Sequence, residues 1–273
     1  MSRSVVRVTK SWNTDAHPRY PAGDERGGQF APKDAGDAAS GHSADWAERT
    51  ARHVTVVHNG STATIHRLER QAFGRELSPI DYIHLTGALK DSHIEVEPLP
   101  GGHLGVSVAH RNYEMTVILR RSGTLSIDWL GLTDYGQRGG GIGTRLLARQ
   151  VEGAHRMGIT RMSLLAGGDA HEIRRYPDSM NGYYTWPRLG YNARVPGHIA
   201  KLLQHAPSGS PLHRLGQRAS ITLHQLFDTP GGADFWRQHG EHFEGTFDPR
   251  PNSPHSLRLE KVLYEKGLDP YAD

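Results

Sequence analysis

The stretch from Arg138 to Gly143 reads Arg-Gly-Gly-Gly-Ile-Gly, with glycine at 139, 140, 141 and 143. Glycine loses more backbone freedom on folding than any other residue, so such a run requires a reason. Two reasons combine here. Missing Cβ atoms let a ligand approach the main chain closely. Just beyond, Ile142, Leu146, Leu147, Val151, Ala154 and Met157 repeat at helical spacing, which predicts a helix that starts at the glycines. The first amides of a helix are unpaired and carry partial positive charge. The chemistry expected of Gly139, Gly140, Gly141, Ile142, Gly143 and Thr144 is therefore the binding of a phosphate-bearing group, a diphosphate above all.

The surrounding letters argue against two ligand classes. An ATP- or GTP-binding loop of the Gly-Lys-Ser/Thr kind needs a lysine, and here Gly143 precedes Thr144 directly. A dinucleotide fingerprint needs Gly or Ala where Thr144 stands and an acid at the end of the next strand, whereas Asp169 lies beyond Gly167-Gly168. The chain has no cysteine, which excludes disulfides, thiolate catalysis and cysteine-held zinc. Its eighteen histidines are scattered without an H-E-x-x-H spacing, so no metal is expected. A net charge of +3 suits a phosphate-bearing ligand and gives little support to a nucleic-acid partner. No apolar run reaches the ~18 residues of a membrane span. The first residues, MSRSVVRVTKSWNTD, lack the apolar stretch of a secretory signal, so a cytoplasmic protein is expected.

The elements that must position the turn follow from period and punctuation. His17–His42 is dense in Pro, Gly, Ala, Asp and Lys with almost no branched aliphatics, and residues 1–52 are expected to form a flexible arm. His53–Val57 is strand-like. Ser78-Pro79, followed by Ile80, Tyr82, Ile83, Leu85 and Leu89, predicts a capped helix. Four strands are then expected: Ile94–Glu97, Leu104–His110, Tyr113–Arg120 and Thr124–Leu132. Turn residues at 98–102, 111–112 and 122–123 make them an antiparallel meander. After the glycines and their helix, which should stop at Gly158, Ile159–Ala166 reads as a buried strand. A strand–turn–helix–strand unit behind a meander predicts an α/β (α+β) fold: a mixed, mostly antiparallel twisted sheet flanked by helices. Short helices at His198–His205, Ser220–Phe227 and Leu257–Tyr264 suggest a mainly helical extension over 196–273. It carries no catalytic constellation and is expected to pack on the core or to contact a second copy or another protein.

With these elements in place, Arg138-Gly139-Gly140-Gly141-Ile142-Gly143 resembles the Gln/Arg-x-x-Gly-x-Gly/Ala signature of the GNAT (GCN5-related N-acetyltransferase) superfamily, and Thr144-Arg145-Leu146-Leu147 continues in the same manner. Further on, Asn181-Gly-Tyr-Tyr-Thr-Trp-Pro-Arg-Leu-Gly-Tyr191 resembles that family's later helix, with Leu189-Gly190-Tyr191 aligned to its end. The resemblance spans roughly 53–195. It implies a cytoplasmic acyltransferase that moves an acetyl group from acetyl-CoA to an amine acceptor, which the resemblance leaves unidentified. It also implies that Arg138 and the amides from Gly139 to Thr144 hold the coenzyme A diphosphate. A main-chain amide near Leu132-Thr133 would meet the acetyl carbonyl, and Asn181 would lie by the cofactor. A separate resemblance concerns HPRYPAGDERGGQFAPK, which is similar to a short element of phage-related proteins. It implies a bacterial or phage-infected cell. The Gly27-Gly28-Gln29 within it matches the catalytic tripeptide of class I release factors, but its flanks do not.

For the acyl transfer itself, Asp128, Glu114 and Asp134 are the candidate bases. The family's thiolate-protonating tyrosine falls on Trp186, whose indole donates a hydrogen bond but is no useful acid. Tyr184 or Tyr183 could take that role, and Pro187 is unusual inside a helix. The segment GGDAHEIRRYPDS, with Arg174, Arg175 and Tyr176, is a candidate acceptor loop or a solvated charged one. These departures and the phage-like arm leave a second function open: a catalytically inactive structural or interaction protein on the same scaffold. A third, acetylation of a basic macromolecule or nucleic acid, rests on the mild basicity alone.

Overall fold

Side-chain caps decide where the first helices begin. Ser61 accepts from the Thr64 amide and opens α1 (Thr62–Phe73). Ser78 accepts from the Asp81 amide while the Asp81 carboxylate accepts from the Ser78 amide at 2.7 Å, and this reciprocal pair opens α2 (Pro79–Thr86). Such a cap contributes about 1 kcal/mol. The computed structural model describes residues 46–133, 140–176 and 180–271. The arm up to residue 45, with Gly27-Gly28-Gln29, lies outside them, as do Asp134, Arg138 and Gly139.

The compact unit starts at Trp46, earlier than the expected boundary after residue 52. Residues 46–51 are helical and Trp46 is buried. Trp46, Ala47 and Thr50 anchor this short stretch, which, unlike the residues before it, has no glycine.

Seven strands form one sheet, ordered as in the chain: β1 (Thr55–His58), β2 (His93–Leu99), β3 (His103–His110), β4 (Tyr113–Leu119), β5 (Leu125–Leu132), β6 (Met162–Ala166) and β7 (Phe243–Phe247). The β1–β2 and β5–β6 pairs are parallel and the other four antiparallel, so the sheet is mixed and mostly antiparallel, as the sequence predicts. Alternation fixes its two faces. Ile94, Val96, Val106, Met115, Val117, Ile127, Leu164 and Phe247 point into the core. Glu95, Glu97, Glu114, Trp129 and Leu165 point to the exposed face.

The crossover from β5 to β6 is α3 (Ile142–Arg156), as the periodicity requires. It lies against α2 with almost no side-chain spacer. A Cβ at Gly153 would stand 2.2 Å from the His84 carbonyl oxygen, and one at Gly87 2.3 Å from that of Leu146. Gln150 Nε2 donates to the Leu85 oxygen at 2.9 Å across the same contact.

Beyond β6 come α4 (Ala170–Arg175), α5 (Gly182–Arg188), α6 (Gly197–Leu203), α7 (Pro211–Gly216), α8 (Leu223–Asp228), α9 (Gly232–His239) and, after β7, α10 (Pro254–Glu265). Residues 196–271 therefore do more than append helices. β7 extends the sheet beside β6, and α10 packs on α3 and α5. No helix among the described residues is long and apolar enough to cross a membrane.

Candidate functional site

The start of α3 has free amides and no side chain to serve them. Gly141 is its N-cap with φ +84°, a left-handed conformation that glycine adopts without strain. No side chain caps the helix there, and its first intrahelical bond is the Arg145 amide to the Gly141 oxygen at 2.9 Å. The amides of Ile142, Gly143 and Thr144 precede that bond and remain for a partner. Ile142 and Thr144 turn their side chains inward and are buried, while Gly140 is exposed. At Gly143 a Cβ would meet only Leu130 Cδ2, at 3.9 Å. A cation also occupies this first turn: Arg145, whose buried Nε finds no hydrogen-bond partner. A positive side chain there opposes the helix dipole, so the turn carries two sources of positive charge and no acid.

Beside this turn the sheet opens. β5 and β6 are paired only through Leu125–Met162, Ser126–Ser163 and Ile127–Leu164. From Asp128 to Leu132, β5 continues on β4 alone. Gly143 faces Leu130, within this unpaired part, so the uncapped helix start and the opening adjoin. At the tip, the Thr133 amide donates to the Asn112 oxygen at 3.1 Å and its hydroxyl to the Arg111 oxygen at 2.6 Å. Thr133 is thus committed to β4's side and has no free amide for a ligand. Amides alternate in direction along a strand, which turns those of Leu130 and Leu132 toward the opening. Of the expected pair, Leu132 has the free position and Thr133 does not.

The candidate acids sit on the exposed face of the same strands. The β4–β5 register shifts between Thr116 and Val117, which pair with Trp129 and Ile127. Asp128 is the extra residue of that bulge and is exposed. Glu114 is exposed and pairs with Gly131, over which the Trp129 ring leans; a Cβ at Gly131 would lie 3.0 Å from the ring. Asp128 and Glu114 therefore flank the open half of β5.

Tyr184 is not brought to them. Its ring is partly buried beside Phe227 and Tyr183, with the guanidiniums of Arg188 and Arg237 5.4 and 5.8 Å from its centre. Tyr183 is buried and donates to the Arg237 oxygen at 3.0 Å, and burial raises its pKa. Trp186 packs edge-on against Tyr191 at 5.4 Å, which gives the indole a structural place. Pro187 is accepted because α5 ends one residue later, at Arg188, and the Tyr183 oxygen that it leaves without an amide accepts from Trp236 Nε1 at 2.8 Å. Asn181 caps α5 through its backbone, is exposed, and accepts from the Thr185 hydroxyl at 3.0 Å. The end of β6 meets α5 directly, since the Tyr183 amide donates to the Gly167 oxygen at 2.9 Å. Arg174, Arg175 and Tyr176 lie exposed on and after α4, which Asp169 caps.

Two residues at this site have roles that the sequence alone does not assign. Arg145 carried a legible signal, a cation in the first turn of a helix. Leu268 carried none, being distant in sequence; its side chain covers Gly141, where a Cβ would lie 2.6 Å from Leu268 Cδ1. Among the described residues no group of three or more His, Asp or Glu could hold a metal. Compared with protein-family models, curated proteins and solved structures, the chain matches none.

Proposed function

We propose that this chain is an acetyl-CoA-dependent N-acyltransferase of the GNAT type. The observation that carries the reading is the meeting of two features: an uncapped helix start on a glycine turn, and parallel strands that part beside it. The diphosphate sits on the amides of Ile142, Gly143 and Thr144 with Arg145 as its cation, the arrangement a helix start favours. The pantetheine arm runs into the opening along β5, where the Leu132 amide donates to the thioester oxygen.

The reaction needs a neutral amine, a stabilised oxyanion and alignment. Asp128 or Glu114 takes the proton from the ammonium or the attacking amine at the exposed mouth of the opening. The amine nitrogen bonds to the acetyl carbon, the carbon–sulfur bond breaks, and coenzyme A leaves as thiolate. A thiol of pKa about 8.5 leaves readily without a dedicated acid, so Trp186 does not prevent turnover. Product thiolate then takes its proton from solvent.

Thiol release measured over a panel of primary amines tests the transfer. Turnover that falls at least about tenfold in Asp128→Asn or Glu114→Gln supports the base assignment, as general bases contribute at least that much. A second reading, coenzyme A binding without transfer in a structural or interaction protein, draws on the places of Tyr184 and Trp186 away from the acids. Binding with no thiol release on any amine would favour it.

A further inference from the structure

One cavity is lined wholly by residues of the C-terminal part of the chain, far from the glycine turn in sequence. Segment 193–195 and segment 221–223 run antiparallel: the Val195 amide donates to the Ile221 oxygen at 2.8 Å and the Leu223 amide to the Ala193 oxygen at 2.9 Å. Arg194 is bridged to Thr222 between these bonds. This short ribbon fixes the backbone of Arg194 and delivers Arg218 and Ser220 to the same place. A cavity of about 330 Å³ lies there, lined by Arg194, Arg218, Ser220 and the apolar groups of Val195, Pro196 and Ile221.

Its charge is unbalanced. Arg194 and Arg218 are among its lining residues and no Asp or Glu is. Neither arginine makes an ion pair or side-chain hydrogen bond among the described residues. Glu241, in the loop before β7, lies 3.3 Å from His198 of the adjoining helix α6. Both arginines are exposed at the edge of this cavity, and a planar guanidinium fork matches the oxygens of a phosphate. Beside Ser220, the rest of the wall comes from Pro196, Ala200, Ala219 and the edges of Val195 and Ile221, and the volume is at the small end of ligand pockets, roughly 300–1,000 Å³.

We infer that this cavity binds a phosphate monoester of a small organic group, its phosphate between Arg194 and Arg218 and its organic part on Pro196, Ala200 and Ala219. The site is independent of the coenzyme A reading and stands if that reading fails.

The test is a titration of the full chain, at constant ionic strength, with inorganic phosphate, phenyl phosphate and benzoate, followed at the Ser220 and Val195 amides by NMR. The expected result is saturable shifts with phosphate and tighter binding of phenyl phosphate. Loss of a charge-assisted contact in Arg194→Gln or Arg218→Gln should weaken it about tenfold or more, while Gly143→Asp leaves it unchanged. Both arginines are exposed, so both variants should fold. Shifts no larger than those from chloride, benzoate binding as tightly as phenyl phosphate, or either arginine variant binding like the parent would overturn the proposal.

Discussion

Gly141 and Gly143 look alike in the sequence and do different work. Gly141 is required by conformation and contact: its φ is +84° and Leu268 lies against it. Gly141→Ala is therefore expected to destabilise the fold by about 1–3 kcal/mol, through left-handed strain and displacement of Leu268. Urea denaturation would show this as a lower midpoint. A Cβ at Gly143 would meet only Leu130, at 3.9 Å, so packing does not require its glycine. An acid in a helix's first turn is favourable to folding, which makes Gly143→Asp a variant that should fold at parental stability. Histidines supply a further prediction. His224 Nε2 and His255 Nδ1 both donate to the Gly190 oxygen at 2.9 Å, and their rings lie 4.7 Å apart. Burial lowers the pKa of His224 from 6.5 to about 4, and burial lowers that of His255 as well. A histidine depressed in the folded state is protonated first in the unfolded chain. Stability is thus intact above pH 6.5 and falls as pH drops toward 4. The fall is about 1.4 kcal/mol for each tenfold difference in proton affinity between the folded and unfolded chain. Thermal melts from pH 7 to pH 4 should show that fall, and His224→Gln should reduce it. A fall of parental size in His224→Gln would contradict the assignment.

Elements with local signals were legible; those defined by distant partners were not. Ser78-Pro79 and the 3.6-residue repeat after Gly141 gave α2 and α3, because caps and periodicity are written within a few residues. The meander was legible from its turn residues, and its strands differ from expectation only by residues at their ends. β7 was not, since five residues interrupted by Gly245 alternate too briefly to distinguish a strand from a loop. α4, inside the long segment after β6, rests on one Asp169 cap and buries only Ala170. In the site, the glycine turn was legible by composition, and the parting of β5 from β6 was not, because pairing between strands leaves no mark on either. The C-terminal tail belongs here too. It runs along α3: Arg149, fully buried, donates through Nε to the Pro270 oxygen at 2.6 Å, and the Tyr271 hydroxyl donates to Glu152 at 2.5 Å. Arg149 also lies 4.8 Å above the Trp46 ring, and Tyr271 stacks on that ring at 6.2 Å. Tyr271→Phe removes one charge-assisted bond and is expected to lower stability by about 1.5–3 kcal/mol, read as a shift in the urea midpoint. No shift would show that the tail is not a structural part of α3's surroundings.

At the scale of the whole molecule, one sheet serves two surfaces. Its core face holds the helices that present the glycine turn, and its exposed face carries Asp128, Glu114 and Trp129 beside the same opening. On the proposed reading, cofactor and acceptor approach from opposite sides and meet where β5 and β6 separate. The C-terminal part completes this arrangement by extending the sheet with β7 and covering α3 with α10 and the tail. Isothermal titration of acetyl-CoA into the parent and into Gly143→Asp tests that arrangement most directly. Saturable one-to-one binding by the parent, weakened at least about a hundredfold by the acid at the helix start with the melting temperature retained, is the predicted result. No binding by the parent, or equal binding by both proteins, would contradict it.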